Sequence, residues 1–183
     1  PTEQKIKWIE GLIQAGMDIV QVGSFVHPTK VPQMVDTDAL FNHFMLPENR
    51  PDRTVLSCLV LNEKGLERGL AAGLEMFCMG VSASETHSQK NTGMSTADAT
   101  QRIINMARTA IHEKKRVQVS VQSAFGCGFE GSIPVERVMG IVQRYLEAGL
   151  TTISLADTAG HAMPDQVERY FSTIRAIDEN VHL

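Results

Sequence analysis

An acidic residue at the end of a buried apolar stretch has the clearest capacity for chemistry in this sequence. The segment Thr151–Gly160 (TTISLADTAG) predicts a buried parallel strand over Thr151–Ala156 that delivers Asp157 and Thr158 to its C-terminal end. Catalytic residues lie at this end of the strands in sheets built from strand–helix units. An ionised carboxyl group there needs hydrogen-bond donors or a ligand. Asp157 therefore either takes part in catalysis, or caps the next helix or orders its own loop.

Polar residues also follow the other predicted strands. A single polar group at such a position is usually a satisfied structural group, but their recurrence on five strands predicts a polar pocket. The residues concerned are Gln21, Ser24, Asn62, Ser82, Ser84, Ser120, Gln122, Ser154 and Asp157.

The segment after the third predicted strand offers a cation and an amide. Lys90 and Asn91 could together bind a carboxylate or a carbonyl group of a ligand. Alternatively, Lys90 is solvated and Asn91 orders its own loop. Ser95 and Asp98 match the S-x-x-D capping box, so Ser95 is predicted to begin a helix. Because a helix N-terminus also attracts anions, Ser95 can be a substrate-binding residue as well.

The histidines and cysteines do not form a recognisable metal site. None of the six histidines belongs to an H-x-H or H-E-x-x-H motif. His27, on the loop after the first strand, is the best single candidate for a site residue among them. Alternatively, His27 is an ordinary surface residue. Cys127 lies between two glycines and is either a nucleophile or a passive thiol. The three cysteines suit a reducing compartment.

Alternating strand and helix patterns position these residues. Strands are predicted at Asp18–Phe25, Val55–Asn62, Met76–Ser84, Val117–Phe125 and Thr151–Ala156, with a further strand opening at Val181–Leu183. Helices are predicted at Pro1–Gly16 with Thr2 as N-cap, near 36–44, at Glu63–Ala72, from Ser95, near 134–149 and near 164–178, whereas Glu85–Met94 is a polar segment with no predicted element. Five such strands suit either an open doubly wound sheet or part of a (β/α)8 barrel. No G-x-G-x-x-G follows the first strand, so a dinucleotide-binding fold would lack its fingerprint. We favour an α/β fold that is a partial (β/α)8 TIM barrel of about five parallel strands, in one domain over residues 1–183.

The composition excludes several classes of function. The net charge of −4 and a pI near 5.9 argue against a nucleic-acid or anionic-membrane surface. No apolar stretch is long enough to span a membrane, and the polar, charged start of the chain is unlike a signal peptide. We therefore expect a small-molecule partner, and neither nucleic acid nor membrane.

Four segments together resemble the 3-hydroxy-3-methylglutaryl-CoA lyases of the DRE-TIM metallolyase superfamily. They are SFVHPTKVPQM (Ser24–Met34), VSASETHSQKNTGMS (Val81–Ser95), FGCGFEG (Phe125–Gly131) and ISLADTAG (Ile153–Gly160), in the family's order. The resemblance implies a (β/α)8 barrel in which this chain runs from the helix after strand 1 to the start of strand 7. It also implies a homodimer, in the cytoplasm or in the mitochondrial matrix of a eukaryote.

The resemblance implies a carbon–carbon lyase. In this family a divalent metal, Mg²⁺ or Mn²⁺, chelates the hydroxyl and carboxylate of a 3-hydroxyacyl-CoA, and a retro-Claisen step releases acetyl-CoA. Asn91 matches a substrate-contacting asparagine and Ser95 a serine near the same site, while Ser154 and Asp157 match the pair that lines it. The family's metal ligands match no residue in 1–183, so the chain alone is expected to be inactive.

Three positions depart from the family pattern. Gln21 stands where the lyases usually have a glutamate near the metal, which removes a charge. Ser120 stands where the animal enzymes have a tyrosine, which implies a differently shaped acyl pocket, and His27 replaces a small residue. Two alternatives stay open: a 2-oxo acid acyltransferase of the isopropylmalate and homocitrate synthase branch, and a non-catalytic partial barrel.

Overall fold

The computed structural model describes residues 1–26, 29 and 31–183. The chain divides into two compact units, which are described separately below. Unit 1 comprises residues 1–78 and 109–116, and unit 2 comprises residues 79–108 and 117–183. The predicted site residue His27 lies outside the described residues. The single-domain organisation stays a prediction.

Five parallel strands form one sheet in the order of the sequence. They are β1 (Ile19–Ser24), β2 (Val55–Leu59), β3 (Met76–Ser82), β4 (Arg116–Gln122) and β5 (Ile153–Leu155). In the register, Ile19 pairs with Val55, Ser57 with Met76, and Ser120 with Ser154. All five predicted strands are therefore confirmed, and no strand end differs from its predicted position by more than three residues. The predicted start of a sixth strand at Val181–Leu183 is also confirmed, because His182 forms a parallel bridge with Thr152.

Seven helices alternate with these strands in the described part of the chain. They are α1 (Thr2–Gln14), α2 (Thr37–Phe44), α3 (Glu63–Ala71), α4 (Glu85–Thr92), α5 (Thr96–His112), α6 (Val135–Glu147) and α7 (Pro164–Ile177). A 3-10 turn, Pro32–Met34, precedes α2. Helix α6 illustrates why these helices form. Four residues at helical spacing share one face of it, and all four are buried: Val138, Ile141, Val142 and Tyr145. Burial of each such side chain stabilises the fold by roughly 1.5–3 kcal/mol.

One helix has no counterpart among the predicted elements, and one predicted cap is wrong. The polar segment Glu85–Met94 contains α4, because the Ser84 side chain accepts a hydrogen bond from the His87 N–H at the start of the helix and Gly93 ends it in the left-handed conformation. Thr2 is not an N-cap, since it is the first helical residue of α1 and its hydroxyl donates to Asp36 Oδ2 over 2.9 Å.

The two faces of β4 differ in burial, which decides what each face can do. Val119 and Val121 are fully buried, whereas Gln118, Ser120 and Gln122 are half-buried. Side chains along a strand alternate between faces, so the three polar residues share one face. Tyr145 of α6 donates its hydroxyl hydrogen to the Ser120 carbonyl over 3.3 Å, which ties α6 to this strand. Among the described residues, no helix is long and apolar enough to cross a membrane.

Candidate active site

The carboxyl ends of β4 and β5 are tied together in unit 2. The Ser123 N–H donates to Thr158 Oγ1 over 2.8 Å, and the Ala124 N–H donates to the Ala156 carbonyl over 3.2 Å. Ser123 has a φ of +54°, so the chain turns sharply as it leaves β4. The loop after β4 and the loop that carries Asp157 are therefore held side by side.

Asp157 is exposed and orders its own loop. Its Oδ1 accepts a hydrogen bond from the His161 N–H over 2.8 Å, and its Oδ2 accepts one from the Ala162 N–H over 3.1 Å. The Ala162 N–H, followed by the His161 N–H, lowers the pKa of Asp157 below its ordinary value. Asp157 is thus ionised at neutral pH, and each oxygen keeps a lone pair for a further donor. The two hydrogen bonds show that Asp157 orders its loop, and a catalytic role for Asp157 stays a prediction.

Small side chains line the half-buried face of β3 and β4. A Cβ atom built on Gly80 would lie 2.0 Å from Ser120 Oγ and 3.1 Å from the Ser120 carbonyl oxygen. Gly80 therefore leaves the space that the Ser120 hydroxyl occupies. Ser154 of β5 is the register partner of Ser120 and is also half-buried. Two predicted site residues, Ser120 and Ser154, thus lie on adjacent strands of one face.

We expect Gly80→Ala to lower the free energy of unfolding by ~1–3 kcal/mol, because the added methyl group overlaps the Ser120 hydroxyl. The second substitution Ser120→Ala should recover most of the lost free energy of unfolding, since it removes the overlapping oxygen. Chemical denaturation of the single and double variants measures both effects. Gly140→Ala is the matched control, because a Cβ on that helical glycine meets nothing within 4 Å. A Gly80→Ala protein as stable as the parent would contradict the close packing.

The helix α4 presents Lys90 and Asn91 on its last turn, where both are exposed. The Lys90 ammonium nitrogen lies 4.3 Å from the centroid of the Phe129 ring, on the glycine-rich loop after β4 (Gly126–Gly131). The His87 ring stacks on the same ring with a centroid distance of 6.5 Å. Lys90 is therefore not simply solvated, because a cation–π contact holds it against that loop. Asn91 lies next to it, at the end of α4.

Glu130 fastens the glycine-rich loop to the start of α4. Its Oε1 accepts from the Thr86 N–H over 2.6 Å, and its Oε2 accepts from Arg137 Nη1 over 3.0 Å. Arg137 also donates to the Ala83 carbonyl over 3.1 Å. The Thr86 N–H is the main cause that lowers the pKa of Glu130 to about 2. Local sequence patterns do not reveal this contact, because Glu130 and Thr86 lie 44 positions apart.

Ser95 and Asp98 interact as the capping motif predicts. The Asp98 N–H donates to Ser95 Oγ over 3.1 Å, and the Ser95 hydroxyl donates to Asp98 Oδ2 over 2.6 Å. Glu85 of α4 accepts from the Thr96 N–H over 2.9 Å, which joins the starts of α4 and α5. Ser95 is therefore a structural cap, and its substrate-binding role stays a prediction.

Cys127 is a buried thiol inside the glycine-rich loop. The Cys127 and Gly131 backbones exchange two hydrogen bonds of 2.8 Å, which close the loop. Burial would raise the pKa of Cys127, but hydrogen bonds from Ser84 and the Phe129 N–H outweigh it and lower the pKa. Gly126 brings the loop against the next one, because a Cβ there would lie 2.3 Å from His161 Nδ1. The thiol is enclosed, which favours the passive interpretation of Cys127.

Gln21 belongs to unit 1. It is exposed on β1, where its register partner is Ser57, and its neighbours Val20 and Val22 are buried as the alternation predicts. Unit 1 also contains a cavity of about 340 Å³ at the start of β2, lined by Arg50, Arg53 and Glu75 among others. Arg50 forms an ion pair with Glu75 there. This cavity lies at the amino ends of β2 and β3, away from their carboxyl ends.

The described residues do not fit a complete metal site. Across residues 1–26, 29 and 31–183, no group of three His, Cys, Asp or Glu side chains is arranged to hold a metal ion. Both Asp157 oxygens already accept hydrogen bonds from backbone N–H groups. The described residues therefore supply at most part of a metal site.

Comparison with known sequences identifies the family of this chain. The sequence model of the HMGL-like family matches residues 1–182. The chain is a member of the HMGL-like family. Its resemblance to the HMG-CoA lyases is thereby confirmed.

Curated relatives of this HMGL-like chain are acyl-CoA lyases. The hydroxymethylglutaryl-CoA lyase YngG of Bacillus subtilis is 32% identical over 175 residues, which are 96% of this chain and 57% of the relative. The (R)-citramalyl-CoA lyase of Chloroflexus aurantiacus is 32% identical over 179 residues, 93% of this chain and 56% of the relative. The chain thus spans little more than half the length of these relatives.

A solved structure extends the likeness to the fold. An HMG-CoA lyase from Acinetobacter baumannii, in complex with coenzyme A and 3-methylmalate, matches with a TM-score of 0.87 and 31% identity. The match covers 97% of this chain and 56% of that one. The predicted partial (β/α)8 barrel is confirmed, because the neighbours are TIM-barrel lyases.

Proposed function

We propose that the polypeptide carrying this chain is a hydroxymethylglutaryl-CoA lyase-like enzyme. It cleaves a 3-hydroxyacyl-CoA to acetyl-CoA and a 3-oxo acid. The supporting observation is the match along 97% of the chain to a lyase that holds coenzyme A and a hydroxy dicarboxylate. The proposal includes a divalent metal, Mg²⁺ or Mn²⁺, a cytoplasmic or mitochondrial location, and a homodimer.

The proposed reaction is a retro-Claisen cleavage. The 3-hydroxyl group loses its proton, the bond between C2 and C3 breaks, and C3 becomes a carbonyl. The electron pair stays on the acetyl-CoA fragment as an enolate, which then takes up a proton. Negative charge develops first on the hydroxyl oxygen and then on the thioester, so fixed donors at both places lower the barrier. A divalent metal, when bound, would add a Lewis acid that stabilises this developing charge.

The residues of unit 2 supply the groups that this reaction needs. Asp157, ionised at neutral pH, accepts a hydrogen bond from the substrate, and Ser154 donates one from β5, the strand that precedes Asp157. Asn91 and Lys90 provide an amide and a cation for the thioester or the free carboxylate. Ser95 and Ser120 contact the substrate as neutral hydroxyls.

Cleavage of 3-hydroxy-3-methylglutaryl-CoA by the full-length polypeptide with Mg²⁺ tests the proposal. We expect acetyl-CoA and acetoacetate in equal amounts, and no product from residues 1–183 alone. Citramalyl-CoA, the substrate class named for the Chloroflexus relative, is the comparison substrate. Absence of acetyl-CoA from both thioesters would overturn the proposal. Acetyl-CoA consumption with a 2-oxo acid would instead support the acyltransferase alternative.

We expect Gln21→Glu in the full-length polypeptide to tighten Mn²⁺ binding, because it restores the carboxylate that the lyases usually have at this position. Calorimetric titration with Mn²⁺ measures the dissociation constant. Gln4→Glu, at an exposed position of α1, is the matched control for the added charge. Equal or weaker affinity in Gln21→Glu would show that this position does not face the metal.

A further inference from the structure

Gln122 is the last residue of β4 and carries the longest side chain at the rim of the half-buried face. Ser120 lies against Gly80 of β3 and pairs with Ser154 of β5. Two residues further along each strand, the side chains beside Gln122 are therefore those of Ser82 and Ala156. Both are short, so the Gln122 amide has room on either side.

The side-chain amide of Gln122 is free of protein hydrogen bonds within the described residues. The backbone carbonyl of Gln122 accepts from the Ala83 N–H over 2.9 Å, and Ser82 Oγ accepts from the Ser84 N–H over 3.1 Å. The side-chain amide itself is half-buried and has no hydrogen-bond partner among the described residues. Such an amide donates to water, or to a ligand that displaces the water.

We infer that Gln122 is a substrate-binding residue whose amide nitrogen donates a hydrogen bond to an oxygen of the acyl group. The inference rests on the proposed function. The Ser123 N–H bond to Thr158 Oγ1, over 2.8 Å, holds the loop of Asp157 beside the residue that follows Gln122. An acyl group bound where these two loops meet would have the Gln122 amide as a neutral donor and the Asp157 carboxylate as an acceptor. This arrangement matches a molecule with a carboxylate or thioester oxygen close to a hydroxyl group, which is the chemistry of a 3-hydroxyacyl-CoA.

The test compares Gln122→Leu with the parent, both full length, with 3-hydroxy-3-methylglutaryl-CoA and Mg²⁺. Leucine keeps the volume and the backbone hydrogen bond but removes the donor. We expect kcat/KM to fall about 10- to 100-fold, which is the range for one hydrogen bond to a charged or polar substrate group. The thermal midpoint should not change, whereas a merely structural role would lower the midpoint and leave kcat/KM intact.

Two further variants sharpen the test. Gln122→Asn retains an amide on a shorter chain, so we expect a smaller loss than in Gln122→Leu. Gln143→Leu is the matched control, because Gln143 is exposed on α6 and bonds only locally, to Glu147 over 3.0 Å. It should leave kcat/KM unchanged.

Calorimetric binding of 3-methylmalate in the presence of coenzyme A separates this inference from the proposed function. A parent that cleaves the thioester while Gln122→Leu keeps full kcat/KM overturns the inference alone. A parent that binds 3-methylmalate without cleavage overturns the lyase function, and weaker binding by Gln122→Leu would still support the contact. Equal affinity of the parent and Gln122→Leu for 3-methylmalate would overturn the proposed contact with Gln122. A parent that neither cleaves nor binds overturns both.

Discussion

Asp157→Asn in the full-length polypeptide is expected to lower kcat by at least ~10²-fold. The substitution removes the charge and replaces one acceptor oxygen by an NH2 group. That group would face the N–H of His161 or Ala162, so two donors would meet where a hydrogen bond now orders the loop. Steady-state kinetics at pH 7 measure the effect, because the lowered pKa keeps Asp157 ionised there.

The control is Asp165→Asn, at an exposed position in the first turn of α7. It makes the same change of charge in the same unit and should retain the parent's kcat. If Asp157→Asn also turned over at the parent's rate, Asp157 would serve loop structure only.

Glu130→Gln is expected to lower the free energy of unfolding by ~1–3 kcal/mol at pH 7, because hydrogen bonds to a charged group are lost. The carboxylate accepts from the Thr86 N–H and from Arg137, and these contacts hold the glycine-rich loop on α4. The folded pKa of about 2 lies below the ordinary 4.5. The contribution is thus complete above pH 4.5 and is lost as the pH falls towards 2.

Urea denaturation at several pH values measures this difference. The gap in stability between the parent and Glu130→Gln should narrow steadily below pH 4.5, where the parent's carboxylate begins to protonate. Glu67→Gln, at an exposed position of α3, should show little difference at any pH. A gap that stayed constant down to pH 2 would contradict the role of the Glu130 charge.

Much of the fold follows from local patterns. The strands alternate or run apolar, and α6 carries a stripe of buried residues, so their positions could be predicted. The helix α4 was missed because it is polar throughout and buries only Ser88. Its signals were its ends: a capping serine at 84 and a glycine at 93.

The candidate site could be predicted only in part. Strand alternation places Ser120 and Ser154 on one face, and the capping motif explains Ser95. The contact of Lys90 with Phe129 and the bond from Thr86 to Glu130 join segments about 40 residues apart, and local patterns do not reveal them. The free amide of Gln122 likewise becomes visible only when the partners of its neighbours are known.

A crystal structure of the full-length polypeptide with coenzyme A and 3-methylmalate tests the central claim most directly. The claim is that the carboxyl ends of β3, β4 and β5 hold the acyl group. We expect 3-methylmalate within hydrogen-bond distance of Gln122 and Ser154, on the half-buried face that they share with Ser120. Density for 3-methylmalate elsewhere, for instance in the cavity beside Arg50 and Arg53 at the other end of the strands, would contradict it.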